Sequence, residues 1–467
     1  MDLISKAREV FGIKRVFNYD TINAVERRCE LAYRGTPDWM SKDLPTINFA
    51  KTLCEETARL TLLGTSIQFN DNTERGRYLQ ETIDAQYYNI RMWVEYAMAF
   101  GTVIIKPTGD DYDCVLPNRY FVTETKNNEI WGAIFVTTQK VEEDYYTRFE
   151  YHHFEKKQYR FRADEPMEIY VVENRTFIGK SANAVDKEIP IENSPWSTLT
   201  DRAEFEGVEK PLFAVIRTPQ ANNVDDECPF GLPLVASAIE ELRDLDIAYD
   251  RFAQEIADSQ RTVLLDSDRL TMGGINQQQQ IDRVSSWNRC RDTMGLPKYV
   301  RAVEGLGEGN FYNEINPTLN TEVRLQGINH LLSQIGYKIG FANGYFVFNE
   351  ASGIQTATGV EANQQRTIQF IKDVRDRVEK ALRDLVDALN AFANEYDLAP
   401  VGAYEVTFQF GDITYNEEED RLRWLSYANT GNIPFWYYLV KFEGFTEEDA
   451  KALTAKNPTP DLFPTEE

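Results

Sequence analysis

Positive charge is scarce in this sequence. Lys and Arg number 50 against 75 Asp and Glu, a net charge of −25 over 467 residues. A surface of that sign repels phosphate, so salt-sensitive coating of DNA or RNA by the whole chain is excluded. A local basic patch is not, nor is a channel through which nucleic acid passes without sticking. Cysteine is scarce too: Cys29, Cys54, Cys114, Cys228 and Cys290 are odd in number, scattered and never spaced C-x-x-C. That argues against a disulfide framework or a cysteine zinc site, and for a reduced, intracellular origin. No apolar run approaches the ~18 residues that span a bilayer, so no membrane partner is expected. The first fifteen residues mix Asp2, Lys6, Arg8 and Glu9 among apolar positions, so no secretory signal is expected there. No internal repeat of fixed period is present.

What is there suits a globular chain. Hydrophobic residues make up 42% and charged residues 27%, which excludes wholesale disorder. At ~150 residues per domain, two to four domains are expected. The first hundred residues read as helical, with apolar residues at helical spacing over Ile47 to Leu63 and Tyr78 to Phe100. The pattern then changes to strands. In Tyr145 to Arg162, Tyr145, Thr147, Phe149 and Tyr151 fall on one face and Arg148, Glu150 and His152 on the other. A period of two predicts a half-buried strand. Thr102 to Lys106, Arg119 to Thr123, Ile130 to Val141, Ile169 to Glu173 and Phe213 to Arg217 complete an antiparallel meander, with a turn at Lys126-Asn127-Asn128. Residues 181 to 210 read as a long loop.

After Pro229-Phe230-Gly231-Leu232-Pro233 the helix period returns and runs unbroken to Gln260. Ala238, Leu242, Leu245, Tyr249, Phe252 and Ile256 form one narrow seam, and the other faces are acidic. Arg261 to Pro317 is glycine-rich, with one short helical candidate at Gln277 to Asn288. A second seam follows in Leu325, Ile328, Leu332, Ile335 and Ile339. Residues 341 to 357 form a loop of glycines and aromatics without Lys or Arg. A third helix is predicted from about Val360 to Tyr396, over ~50 Å long at 1.5 Å per residue. One strand, Tyr404 to Phe410, and a short helical acidic tail close the chain.

Catalytic signals are weak. Gly179-Lys180-Ser181 follows a strand, but a phosphate-binding loop needs a glycine where Asn174 stands and a helix where none is predicted. A surface turn is the better reading. Gly305, Gly307 and Gly309 lack the dinucleotide-loop spacing. His152 and His153, adjacent on a strand, point to opposite faces, and His330 has no helical partner, so no metal site is expected. Asp225-Asp226-Glu227 are consecutive rather than convergent, which suits a solvated loop better than a two-metal site. No cofactor and no enzymatic activity are expected.

The order and spacing of these segments resemble the portal proteins of tailed bacteriophages, in particular the Gp6-like (SPP1-type) branch of long-tailed phages. Cys228-Pro229-Phe230-Gly231-Leu232-Pro233, running into Ala236 to Gln260, is similar to the family's entry into its first stem helix. Thr356-Ala357-Thr358-Gly359-Val360-Glu361 is similar to the stretch after its tunnel loop. The resemblance covers residues 20 to 445 and is strongest over 210 to 400.

It implies an α+β, ring-forming chain. The α/β wing would be residues 1–227, with a return at 398–444. The first stem helix would be 228–260, the clip insertion 261–318 and the second stem helix 319–340. The tunnel loop would be 341–358, the long kinked helix 359–397, and a short crown or tail 445–467. It further implies a dodecameric ring at one capsid vertex of the virion, assembled in the bacterial host cytoplasm. Double-stranded DNA would be packaged and ejected through its channel. Expected partners are the terminase large subunit, the major capsid and scaffolding proteins and a head-completion adaptor.

A motor would stall in a channel that gripped phosphate. Tunnel-loop candidates are therefore the polar and aromatic Asn343, Tyr345, Phe346, Asn349, Glu350 and Gln355. Channel-facing stem candidates are Glu240, Glu241, Asp244 and Lys338; the bland alternative is that such charges merely solvate a helix. The seam residues Leu242, Leu245, Tyr249, Phe252, Ile328, Leu332 and Ile335 are expected to pack on neighbouring subunits. Competing readings are a metal-dependent DNA-processing enzyme using Asp225 or Asp226, and a minor capsid structural protein that forms no ring.

Overall fold

The structure is a computed structural model. It describes residues 3–14, 16–17, 20–42, 44–69, 73–108, 111–157, 167–182, 185–225, 227–258, 262–266, 300–303, 312–315, 320–347, 357–411, 417–430, 433–443 and 445–456. Gln277 to Asn288, Gly305, Gly307, Gly309 and Asp226 lie outside them.

The N-terminal part is helical: α1 (Leu3–Phe11), α2 (Asp20–Tyr33), α3 (Phe49–Thr61), α4 (Glu74–Ala85) and α5 (Tyr87–Phe100). The single helix expected over Tyr78 to Phe100 is two. Gln86 closes α4 with its own N–H bonded to Ile83, then precedes α5. Strand β1 (Ser66–Phe69) lies between α3 and α4 and pairs with β14 (Val406–Gln409) from the far end of the chain.

Two sheets follow. In the larger, β4 (Tyr120–Lys126), β5 (Glu129–Val141), β6 (Asp144–Lys157) and β7 (Met167–Gly179) run antiparallel in sequence order. The β4–β5 turn places Asn127 and Asn128 at φ 53° and 61°, the left-handed pair of a tight hairpin, where Asn is tolerated. Two short strands, β8 (Lys187–Ile189) and β9 (Arg202–Phe205), share the outer edge of β7 and break up the loop expected at 181 to 210. The smaller sheet has the order β10 (Ala214–Arg217), β2 (Thr102–Thr108), β3 (Asp111–Val115). The segments at Thr102 and Phe213 therefore form their own sheet and do not extend the meander.

The large sheet is covered on both faces. Phe149 and Phe177 pack under α1, against Ala7, Ile134 and Val136. On the other side Phe135 meets Phe213 and Phe230, beside the small sheet. The polar face of β6 is thus buried rather than solvated. Glu150 sits there between Lys106 Nζ at 2.5 Å, Arg148 Nη2 at 2.9 Å and His152 Nε2 at 3.0 Å, and Lys106 is 1% exposed. Burial alone would raise the Glu150 carboxyl, but Lys106, the His152 bond and Arg148 hold it well below its ordinary range. Burial keeps His152 neutral by lowering its pKa. Its Nε2–H therefore donates to Glu150, and its Nδ1 accepts from Tyr170 Oη at 2.9 Å.

The longest helix, α8 (Ala357–Glu395), has 39 residues, or ~58 Å. Ile371, Val374, Val378, Leu382, Leu385 and Leu389 carry its buried stripe into the main core beside α3 and α5. Two arginines tie its neighbourhood together. Arg75, 1% exposed, donates to Asn390, Asn394, Ala399 and Pro400. Arg375 donates to the carbonyls of Leu60, Thr61 and Gly411, satisfying the C-terminal end of α3. Helices α9 (Glu417–Asn429), α10 (Phe435–Glu443) and α11 (Glu447–Lys456) end the described chain, with Trp424 stacked on Tyr437.

One buried acid is uncompensated. Glu26 of α2 is pushed up to about 7, first by burial and then by Glu30, and its Oε1 has no partner among the described residues. Its ordinary value is 4.5, so the folded state binds more protons, and stability falls as pH rises from there to about 7. Glu26→Gln is expected to stabilise the protein by ~2–3 kcal/mol at pH 8 and hardly at pH 4. Thermal midpoints at the two pH values check it.

Candidate functional site

The candidate site is built from two helices, the segment that follows them, and α8. The first is α6 (Ile239–Asp258) and the second α7 (Thr321–Ile339). The first helix begins at Ile239, not at the proline pair. Residues 229 to 235 are laid instead along the end of α5: Gly231 N–H donates to Thr102 Oγ1, and Leu234 N–H to the Met98 carbonyl. Phe230 is fully buried, stacked on Tyr120 at 5.7 Å. The motif at Cys228 to Pro233 is therefore a joint between the sheets and the helical core.

Ion pairs set the direction of the two helices. Lys338, near the end of α7, pairs with Glu241 at the start of α6 and donates to the Ser237 carbonyl. Arg324, at the start of α7, pairs with Glu255 near the end of α6 at 2.7 Å. The helices are antiparallel. Between them in sequence, β11 (Thr262–Asp266) pairs parallel with β12 (Val300–Val303) and antiparallel with β13 (Tyr312–Ile315). The hairpin therefore carries a small mixed sheet in its insertion.

The seam assignment needs correction. Leu242, Leu245, Ile328, Leu332 and Ile335 are all at most 4% exposed and belong to the core of their own chain. Two amphipathic helices in one hairpin satisfy each other first. Those five are covered within their own chain. Phe252 is half-buried against the same core, and Tyr249 is exposed.

The candidate channel charges divide. Glu240 accepts from Arg28 at 2.8 Å. Glu241 and Lys338 neutralise each other across the hairpin. These three charges already serve contacts within the chain. Asp244 is exposed and has no ion-pair partner among the described residues. The acidic face also hides a structural residue that periodicity did not distinguish. Asp246 is 3% exposed and accepts from Trp39 Nε1 at 2.9 Å and Ile47 N–H at 3.1 Å. Its offset of one from Leu245 was the available signal.

After α7 the chain turns at Gly340 onto α8. Phe341 is fully buried, and Ala342 N–H donates to Thr367 Oγ1 at 2.8 Å. Tyr345 and Phe346, expected to touch a passing ligand, are half-buried in an aromatic cluster. Phe346 lies 4.8 Å from Phe341 and 5.3 Å from Phe49, and Tyr345 Oη donates to Glu56 at 2.5 Å. Glu56 is held below its usual range, mainly by the Arg59 hydrogen bond. Burial and the Glu56 bond push the Tyr345 phenol up. Asn343 is exposed. Asn349, Glu350 and Gln355 lie outside the described residues. Phe346→Ala is therefore expected to cost ~1–3 kcal/mol by opening a gap in the cluster, which a fall in thermal midpoint would report.

The weaker motifs have structural uses. Lys180 pairs with Asp144 at the strand end, and β8 rather than a helix follows. Asp225 Oδ1 accepts from Glu227 N–H at 3.1 Å, which closes its own turn. Burial pushes the Cys29 thiol up to about 12 and the Cys228 thiol up to about 11, which keeps both protonated. Among the described residues no group of three His, Cys, Asp or Glu converges as for a metal. No described helix is long and apolar enough to cross a membrane.

The family model described as phage portal protein, SPP1 Gp6-like, matches residues 43–457. No curated protein matches the chain. One solved structure is a chain from the neck of an empty GTA particle, computed with C6 symmetry. It aligns at 12% identity with a TM-score of 0.41, covering 94% of this chain and 97% of that one.

Proposed function

The chain belongs to the SPP1 Gp6-like family of phage portal proteins, and from that membership we propose that it forms the portal ring at one vertex of the capsid. Copies close into a ring of about a dozen, and double-stranded DNA enters and leaves the head through its channel. The ring docks the terminase large subunit during packaging and a head-completion adaptor afterwards. The major capsid and scaffolding proteins surround it during assembly in the host cytoplasm. The protein acts as a conduit and platform, not as an enzyme.

The observation that carries this reading is the family match over 43–457, which runs through the α6–α7 hairpin, its insertion and α8. The net charge of −25 supports transient rather than gripping contact with DNA. Asp244, Asn343 and the undescribed loop positions Asn349, Glu350 and Gln355 are the channel-facing residues we retain. Tyr249 is the seam residue retained for a neighbour.

Light scattering of the purified chain, with electron images of the same fraction, tests the ring. A mass near a dozen subunits and annular end views are expected. A monomer without annuli, even when scaffolding protein is present, would overturn it. Divalent-metal-dependent nuclease activity in that monomer would favour the enzyme reading instead.

A further inference from the structure

A basic cleft stands apart from the hairpin. It lies between the β4–β5 turn, strand β10 and α8, with a volume of about 440 Å³. That is within the ~300–1,000 Å³ of ordinary ligand sites. Five cations line it, Lys126, Lys210, Arg217, Arg377 and Lys380, against two acids, Glu129 and Asp384. In a chain with half as many acids again as bases, that local excess is the reverse of the average.

Pairing sharpens the excess. Lys380 pairs with Glu129, and Lys210 with Asp384 at 3.0 Å, so both acids are taken. Lys126 rests on the Trp131 ring at 4.5 Å. Arg217 and Arg377 have no carboxylate partner among the described residues, and the Arg217 Nε is buried without any acceptor. Burial and the like charge of Arg377 both lower the Arg217 pKa, so the two guanidinium groups repel one another in place. An unmatched buried N–H and two facing guanidinium groups call for an anion. Trp131, Phe213 and Val215 make the rest of the wall apolar.

We propose that this cleft is a carboxylate-binding site and that its occupant is the acidic segment Pro458 to Glu467 of this chain. The segment carries Asp461, Glu466 and Glu467 and no base, with Leu462 and Phe463 beside the first acid. The carboxylates answer Arg217 and Arg377, and the two apolar side chains answer Trp131 and Phe213. A DNA backbone fits less well, because Glu129 and Asp384 stand on the same wall and the rest of the chain is acidic. The inference is independent of the channel.

Carbodiimide cross-linking of the full chain tests it, since the reagent joins a lysine amine to a carboxylate only in contact. Cross-links from Lys126, Lys210 or Lys380 to Asp461, Glu466 or Glu467 are expected. Mixing isotope-labelled and unlabelled chains tells whether the segment comes from the same copy or a neighbour. Arg377→Gln, at an exposed position, is expected to leave the thermal midpoint unchanged. It should still cut those cross-links, and the hydrogen-exchange protection of 458–467, by about tenfold. Free-peptide exchange of the segment in the parent chain would overturn the proposal, as would cross-links indifferent to Arg377→Gln. Short duplex DNA that binds in an Arg377-dependent manner and leaves the segment unprotected would assign the cleft to phosphate instead.

Discussion

Glu150→Gln is expected to cost ~3–5 kcal/mol of stability, the cost of breaking a buried ion pair by removing one partner. The carboxylate is the only anion among Lys106, Arg148 and His152, and its side chain is 12% exposed. Glutamine keeps the shape and an acceptor for His152 Nε2–H. It leaves the Lys106 ammonium, 1% exposed, without a countercharge. Pairing Glu150→Gln with Lys106→Met should recover most of the loss, because an apolar replacement of both partners removes the stranded charge. The pH dependence has a definite sign. Glu150 is depressed in the folded state, so its contribution is complete above its ordinary 4.5 and is lost as pH falls through the lower folded value. The gap in unfolding midpoint between parent and Glu150→Gln should therefore be widest at neutral pH and shrink in acid. A gap that does not change from pH 7 to pH 3 would show that the effect is packing, not charge.

Gly101→Ala is expected to prevent folding of the joint between α5 and the segment that leads to α6, at more than ~4 kcal/mol. Gly101 has φ 81°, and an added Cβ would lie 2.7 Å from the Leu232 carbonyl carbon and closer still to Gly231 O. Its carbonyl accepts from Thr218 N–H at 3.0 Å, and Thr218 Oγ1 donates to the Leu232 carbonyl at 2.8 Å. Three chain segments thus meet at one alpha carbon, and none can retreat without breaking a buried hydrogen bond. Gly207→Ala is the control. Gly207 also has positive φ, 72°, but nothing lies within 4 Å of its added Cβ. It should cost only the ~1–2 kcal/mol of left-handed backbone strain. Soluble yield and unfolding midpoint separate the two. Equal losses would mean that backbone strain, not contact, sets the requirement.

Much of the fold was legible because local rules dominated where they were strongest. The buried stripe of α8 gave a helix within three residues of the expected start and one of the end. Lys126-Asn127-Asn128 named its hairpin turn, since Asn accepts positive φ. The α6 and α7 periods were legible too, but their partner was not. An amphipathic stripe states that a face is covered, not by what. Tyr345 and Phe346 were hidden for the same reason: an aromatic in a glycine-rich loop reads as exposed until a helix such as α3 is seen beside it.

The sequence by itself determined the acidic surface, the helix–sheet–helix order and the family pattern around Pro229 and Thr356. Each rests on composition or on spacing along one chain. Tertiary structure alone decided that Leu242 and Ile328 enter the core of their own chain, that Asp246 is an internal hydrogen-bond acceptor, and that Arg148, Glu150 and His152 are inside. Alternation assigns side chains to two faces of a strand, but whether the second face meets water depends on what packs there. Here Lys106 arrives from another sheet with the countercharge that makes burial of Glu150 tolerable.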